Sequence, residues 1–130
     1  MKYAYTIIYV KNVTETIEFY KRVFGFVQKF VTPENDYGEL ISGETTIAFA
    51  SIELGNSNFK QRFEKINKSK DPVGVEMAFT TKNIETDFKK AIEEGAIEFE
   101  SLVEKPWGQK VGYVLDNNGF LIEICTPIKN

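Results

Sequence analysis

The chain has 130 residues, enough for one domain with a substantial core. Apolar residues are 42% and charged residues 27%, a soluble globular balance, and the net charge of −3 gives nucleic-acid binding no electrostatic support. Histidine is absent, which removes Ser-His-Asp and Cys-His nucleophilic arrangements and the commonest ligand of zinc, nickel and non-haem iron. No apolar run approaches membrane length and no basic-then-apolar leader is present, so the expectation is a cytoplasmic protein with no membrane partner. The single Cys125 cannot form an internal disulfide and reads as a small core filler. Eleven Phe and six Tyr suit an aromatic-lined cavity as well as ordinary sheet cores.

Residues 3–10 mix aromatic and aliphatic groups and read as a strand. Asn12 is placed to cap a helix. Val13, Ile17, Tyr20, Val23 and Phe24 then recur at helical spacing, and Gly25 fits the stop. Strands follow over residues 26–31, 37–41 and 45–52, the last two joined by the tight turn Ser42-Gly43-Glu44. Residues 55–71 are polar and lysine-rich, with Phe59, Phe63 and Ile66 spaced by four and three. They predict a short amphipathic helix and a solvated linker, with a basic docking patch as the functional alternative.

The second half repeats this order. Residues 73–80 read as a strand, and Asn83 starts a helix that turns Ile84, Phe88, Ala91 and Ile92 inward and stops at Gly95. A strand over 97–103 follows. The closing stretch is a hairpin: Val111, Tyr113 and Leu115 at period two, the turn Asp116-Asn117-Asn118-Gly119, then an apolar strand from Phe120 to Cys125. That last strand holds one carboxylate, Glu123, on the face shared with Leu121 and Cys125, and an acid there needs a partner if it is buried. Lys11-Asn12-Val13 matches Lys82-Asn83-Ile84 at an offset of 71 residues, and self-similar halves imply a pseudo-twofold structure.

Pro106-Trp107-Gly108-Gln109, a strand, Asp116-Asn117-Asn118-Gly119 and an apolar strand holding Glu123 together resemble the glyoxalase/bleomycin-resistance/dioxygenase superfamily, the vicinal oxygen chelate proteins. The Pro-Trp-Gly-Gln form looks most like the bleomycin-resistance branch. Tyr9-Val10-Lys11-Asn12, Phe19-Tyr20 and Phe24-Gly25-Phe26 extend the likeness to the start of the chain. The resemblance implies an α+β fold of two βαβββ modules forming an open, cupped mixed sheet with helices outside. The modules are residues 1–54 and 72–130, with 55–71 as linker.

The resemblance also implies where a metal would bind. Its positions correspond here to Tyr5, Ala48, Glu76 and Glu123, and the pattern fails at two of the four. Ala48 offers no donor, and a phenol with a pKa of about 10 is a poor ligand at neutral pH. No cofactor is therefore expected, with a divalent metal as the alternative. Three readings of Glu76 and Glu123 stay open. They favour a cationic ligand flanked by rings, they share a proton and hydrogen-bond Tyr5, or they face solvent at the rim. Tyr3, Tyr5 and Tyr9 share a strand face with the candidate site. Trp107 either lies near the ligand groove or a subunit interface, as the resemblance implies, or plugs the end of a sheet.

The expected function is a metal-free small-molecule binding protein of the bleomycin-resistance type, working as a homodimer that sequesters an aromatic or cationic compound. The alternatives are a divergent metal-dependent lyase, isomerase or dioxygenase of the same superfamily, and a partner-binding module with no small ligand.

Overall fold

Strand, helix and three strands occur twice in the computed structural model, which describes residues 1–128. The chain divides into two compact units, one spanning Met1–Ile66 and the other beginning at Asn67. The first holds β1 (Thr6–Val10), α1 (Val13–Phe24), β2 (Val27–Val31), β3 (Tyr37–Ser42), β4 (Thr45–Ser51) and α2 (Ile52–Asn58). Its sheet runs β1-β4-β3-β2, with β1 parallel to β4 and the other pairs antiparallel. The second holds β5 (Glu76–Thr80), α3 (Ile84–Glu93), β6 (Ile97–Glu104), β7 (Lys110–Leu115) and β8 (Leu121–Cys125). Its order, β5-β8-β7-β6, and its strand directions are the same. The fold is therefore α+β, with a mixed four-stranded sheet in each unit.

The expected caps explain where α1 begins and ends. The Asn12 side-chain oxygen accepts from the Glu15 N–H at 3.0 Å. Gly25 closes the helix at φ 74°, a conformation that strains other residues, and donates its N–H to the Lys21 carbonyl. One stripe of α1, including Val13, Ile17, Tyr20 and Val23, is buried against β3 and β4. The Tyr20 and Phe49 rings lie 4.8 Å apart in that layer. Burying each large side chain of this kind contributes about 1.5–3 kcal/mol. In the second unit Ile84, Phe88 and Ala91 do the same against Val114, Ile122 and Ile124.

Four local expectations are corrected. The strands expected over 3–10 and 73–80 begin only at Thr6 and Glu76. The helix expected within 55–71 starts earlier, because the Ser51 hydroxyl accepts from the Leu54 N–H at 3.0 Å, and it ends at Asn58. Phe59, Phe63 and Ile66 lie beyond it, so the spacing of the two rings reflects packing on Tyr9 rather than a helical face. Asn83 stands at the N-cap of α3 without a capping side-chain bond, and the Thr81 hydroxyl accepts its N–H at 3.0 Å. Among the described residues no helix is long and apolar enough to cross a membrane.

The helix–sheet contact is tightest at Gly112 on β7. A Cβ there would lie 2.7 Å from a Phe88 ring carbon and 2.8 Å from a Leu102 methyl. Gly112→Ala is expected to cost about 1–3 kcal/mol through overpacking. Urea denaturation of both proteins checks this, and an unchanged midpoint contradicts it.

Candidate functional site

Strand alternation gives each sheet one face toward its helix and one turned away from it, here termed the open face although Val111, Cys125, Ala48 and Glu39 on it are buried. In the second unit, Gly112, Val114, Ile122 and Ile124 belong to the face that packs on α3. The open face carries Glu76 and Ala78 from β5, Glu123 and Cys125 from β8, and Val111 and Tyr113 from β7. Ala78, Glu123 and Tyr113 form one row across the strands, and Glu76 stands two residues before Ala78. The Tyr113 hydroxyl donates to Glu123 Oε1 at 3.1 Å.

The charges on this face act on one another. The Glu76 carboxyl is raised above its ordinary value by partial desolvation and then by the Glu123 carboxylate. Burial, the bond to Glu123 and the Glu123 and Glu76 charges push the Tyr113 phenol up to about 12. Burial first, and then Glu123, pushes the Cys125 thiol up to about 11, so it stays an unreactive thiol at neutral pH. The face thus presents negative charge beside a phenol that remains a donor.

The open face of the first unit differs. Ala48 and Glu39 pair across β4 and β3, as Glu123 and Tyr113 pair across β8 and β7. Glu39 thus takes the place of Tyr113, and Ala48 that of Glu123. Glu39 accepts the Tyr37 hydroxyl at Oε2, 2.7 Å away, and Lys29 Nζ lies 3.5 Å from Oε1. Burial and then Glu39 raise the Tyr37 phenol far above its ordinary value, with a further contribution from Tyr5. Here the acid is neutralised within the chain and the surroundings are aromatic.

The expected site residues are distributed between these faces. Glu76 and Glu123 come together in the second unit. Tyr5, just before β1, meets Tyr37, whereas Tyr3 is exposed and shares a hydrogen bond with the Thr6 hydroxyl. Tyr9 is covered by Phe63 and Phe59, with ring centroids 5.1 and 6.0 Å away. Ala48 is fully buried. Trp107, 66% exposed in the turn before β7, bonds through its indole N–H to the Gln109 side chain and does not plug its sheet. Tyr113, Tyr37, Glu39 and Lys29 are additions. The hairpin turn could have pointed to Tyr113, since counting back from it places Tyr113 opposite Glu123.

These residues do not fit the metal that the resemblance implies. Ala48 has no donor, the Tyr5 phenol interacts with Tyr37, and one Glu123 oxygen holds the Tyr113 hydroxyl. Among the described residues no group of three or more His, Cys, Asp or Glu side chains could hold an ion.

Comparison with known proteins agrees with this architecture. Residues 3–129 match the glyoxalase-like domain family. A glyoxalase-related enzyme from Fulvimarina pelagi superposes with a TM-score of 0.81 at 15% identity, over 98% of this chain and 88% of that one. A glyoxalase/bleomycin resistance protein/dioxygenase family enzyme from Burkholderia phytofirmans gives 0.72 at 21% identity, over 95% and 96%. A virulence protein from Salmonella typhimurium gives 0.69 at 25% identity, over 97% and 96%. No curated protein matches the sequence significantly.

The raised Glu76 carboxyl predicts a pH effect. An acid whose folded value exceeds its unfolded one contributes stability at low pH that is lost as pH rises through the folded value. Glu76 starts from 4.5, so the loss begins near that pH and continues upward. Relative to the parent, Glu76→Gln should gain stability between pH 4 and neutrality, by about 0.2–1 kcal/mol because the group is exposed. Thermal midpoints of both proteins across that range check this, and a constant difference contradicts it.

Proposed function

We propose, from the premise that this chain belongs to the glyoxalase-like domain family, that it is a metal-free small-molecule binding protein. It sequesters an aromatic or cationic compound, in the manner of the bleomycin-resistance branch that Pro106-Trp107-Gly108-Gln109 resembles. The observation that carries this reading is the open face of the second unit. There Tyr113 holds Glu123, and Glu123 raises the Glu76 carboxyl. Two interacting carboxylates attract positive charge, and a cation between them relieves their repulsion. The buried Cys125 beside them adds no nucleophile, because its thiol is pushed up to about 11.

The donor set supports action without a metal, since one acid is engaged by a phenol and Ala48 supplies nothing. Ile97, Phe99 and Val103 are exposed on β6, at the end of its sheet, and support pairing with a second copy of the chain.

Cationic aromatic compounds are expected to raise the thermal midpoint more than neutral or anionic analogues. Glu76→Gln and Glu123→Gln should each reduce that preference. The same purified protein should carry far less than one equivalent of Mn, Fe, Ni or Zn and scatter light as twice the chain mass. Preferred stabilisation by anionic compounds contradicts the ligand class. One tightly held metal equivalent, lost in Glu76→Gln, would instead favour a lyase, isomerase or dioxygenase.

A further inference from the structure

The first unit contains a carboxylate arrangement that the reading of the second unit does not use. The pairing of β2 with β3 slips between Gln28 and Phe30, so Lys29 and Phe30 together oppose Glu39. A bulge of this kind bends its strand and re-aims its side chains. Phe30 pairs directly with Glu39 on the open face, and its ring lies 5.8 Å from that of Tyr37. Glu39 is only 8% exposed, and both of its oxygens are engaged, Oε2 by Tyr37 at 2.7 Å and Oε1 by Lys29 at 3.5 Å.

The two partners differ in how firmly they are held. The Tyr37 bond is short and partly buried, and both residues are fixed on β3. The Lys29 side chain is 52% exposed, and its bond is long. Only the lysine end of this pair reaches water, since the Glu39 side chain is 11% exposed, so Lys29 is the partner that a ligand cation could displace. The Glu39 carboxylate therefore keeps a firmly held phenol on one oxygen and a replaceable ammonium on the other, with Phe30 as its cross-strand neighbour.

We propose that this is a second ligand site, for an organic ammonium group, which Lys29 occupies as an internal stand-in. A ligand ammonium displaces Lys29 from Oε1, pairs with the carboxylate and rests against Phe30 and Tyr37. Rings beside a carboxylate attract such a cation by both charge and quadrupole. The proposal does not depend on the acidic face of the second unit, since all four residues belong to the first.

Benzyltrimethylammonium is the probe, with affinity measured by calorimetry and its location by backbone amide shifts. The parent should bind it weakly. Lys29→Gln, which removes the competing charge at an exposed position, should bind about tenfold more tightly, with shifts centred on residues 29–31 and 37–39. Adding Glu39→Gln to Lys29→Gln should abolish the gain. Should that variant fold poorly, Phe30→Leu in the Lys29→Gln background should weaken binding severalfold. Glu76→Gln should leave these shifts unchanged, which separates failure here from failure in the second unit. Equal affinity of Lys29→Gln and the parent overturns the proposal, as do shifts centred on residues 76, 113 and 123.

Discussion

Parallel pairing of β5 with β8 sets Glu76 beside Leu121 and Ala78 beside Glu123. Because side chains alternate along a strand, this register puts both acids on the face away from α3. A slip of one residue would send Glu123 into the packed layer now filled by Ile122 and Ile124. Hydrophobic burial against α3 thus fixes where the charges go. The Gly119 turn fixes the next strand, so that Tyr113 arrives opposite Glu123. The acidic face is a consequence of core packing on the other side of the same sheet.

The two units share topology and differ in chemistry. Ile7 pairs with Ala48 in the first and Ala78 with Glu123 in the second, so the register repeats although the offset is 71 residues on the first strand and 75 on the last. At equivalent places the first unit has Glu39 and Ala48 where the second has Tyr113 and Glu123. Each keeps a phenol–carboxylate bond, on one strand in the first and across two in the second. Lys29 neutralises the acid in the first unit, whereas Glu123 in the second has another acid for a neighbour. This transposition gives one repeated scaffold two different arrangements of charge.

Much of the fold was legible because its signals are local. Asn12 and Gly25 delimit α1, and Asp116-Asn117-Asn118-Gly119 makes the last turn: Asp116 accepts from the Asn118 and Phe120 N–H groups at 2.8 and 2.9 Å. Parity along β8 set Glu123 apart from Ile122 and Ile124, but bringing Glu76 to the same face took the resemblance, and the β5–β8 register shows it. Partnerships between strands were harder. Glu39 depends on the β3–β4 register and on a bulge at Lys29, which no residue type announces. Tyr9 has the right parity for an open face, but chain that folds back after α2 covers it. The Phe59 and Phe63 spacing imitates a helix because both rings pack on that tyrosine.

The central claim is that Glu76 and Glu123 are electrically coupled on one face, so that a ligand cation can be drawn to both. Titration of the Glu76 side-chain carboxyl by carbon-13 NMR tests this most directly, in the parent and in Glu123→Gln. The account predicts that Glu76 titrates above the ordinary glutamate range in the parent and moves back toward it when Glu123 loses its charge. A Glu76 titration that is the same in both proteins would contradict it.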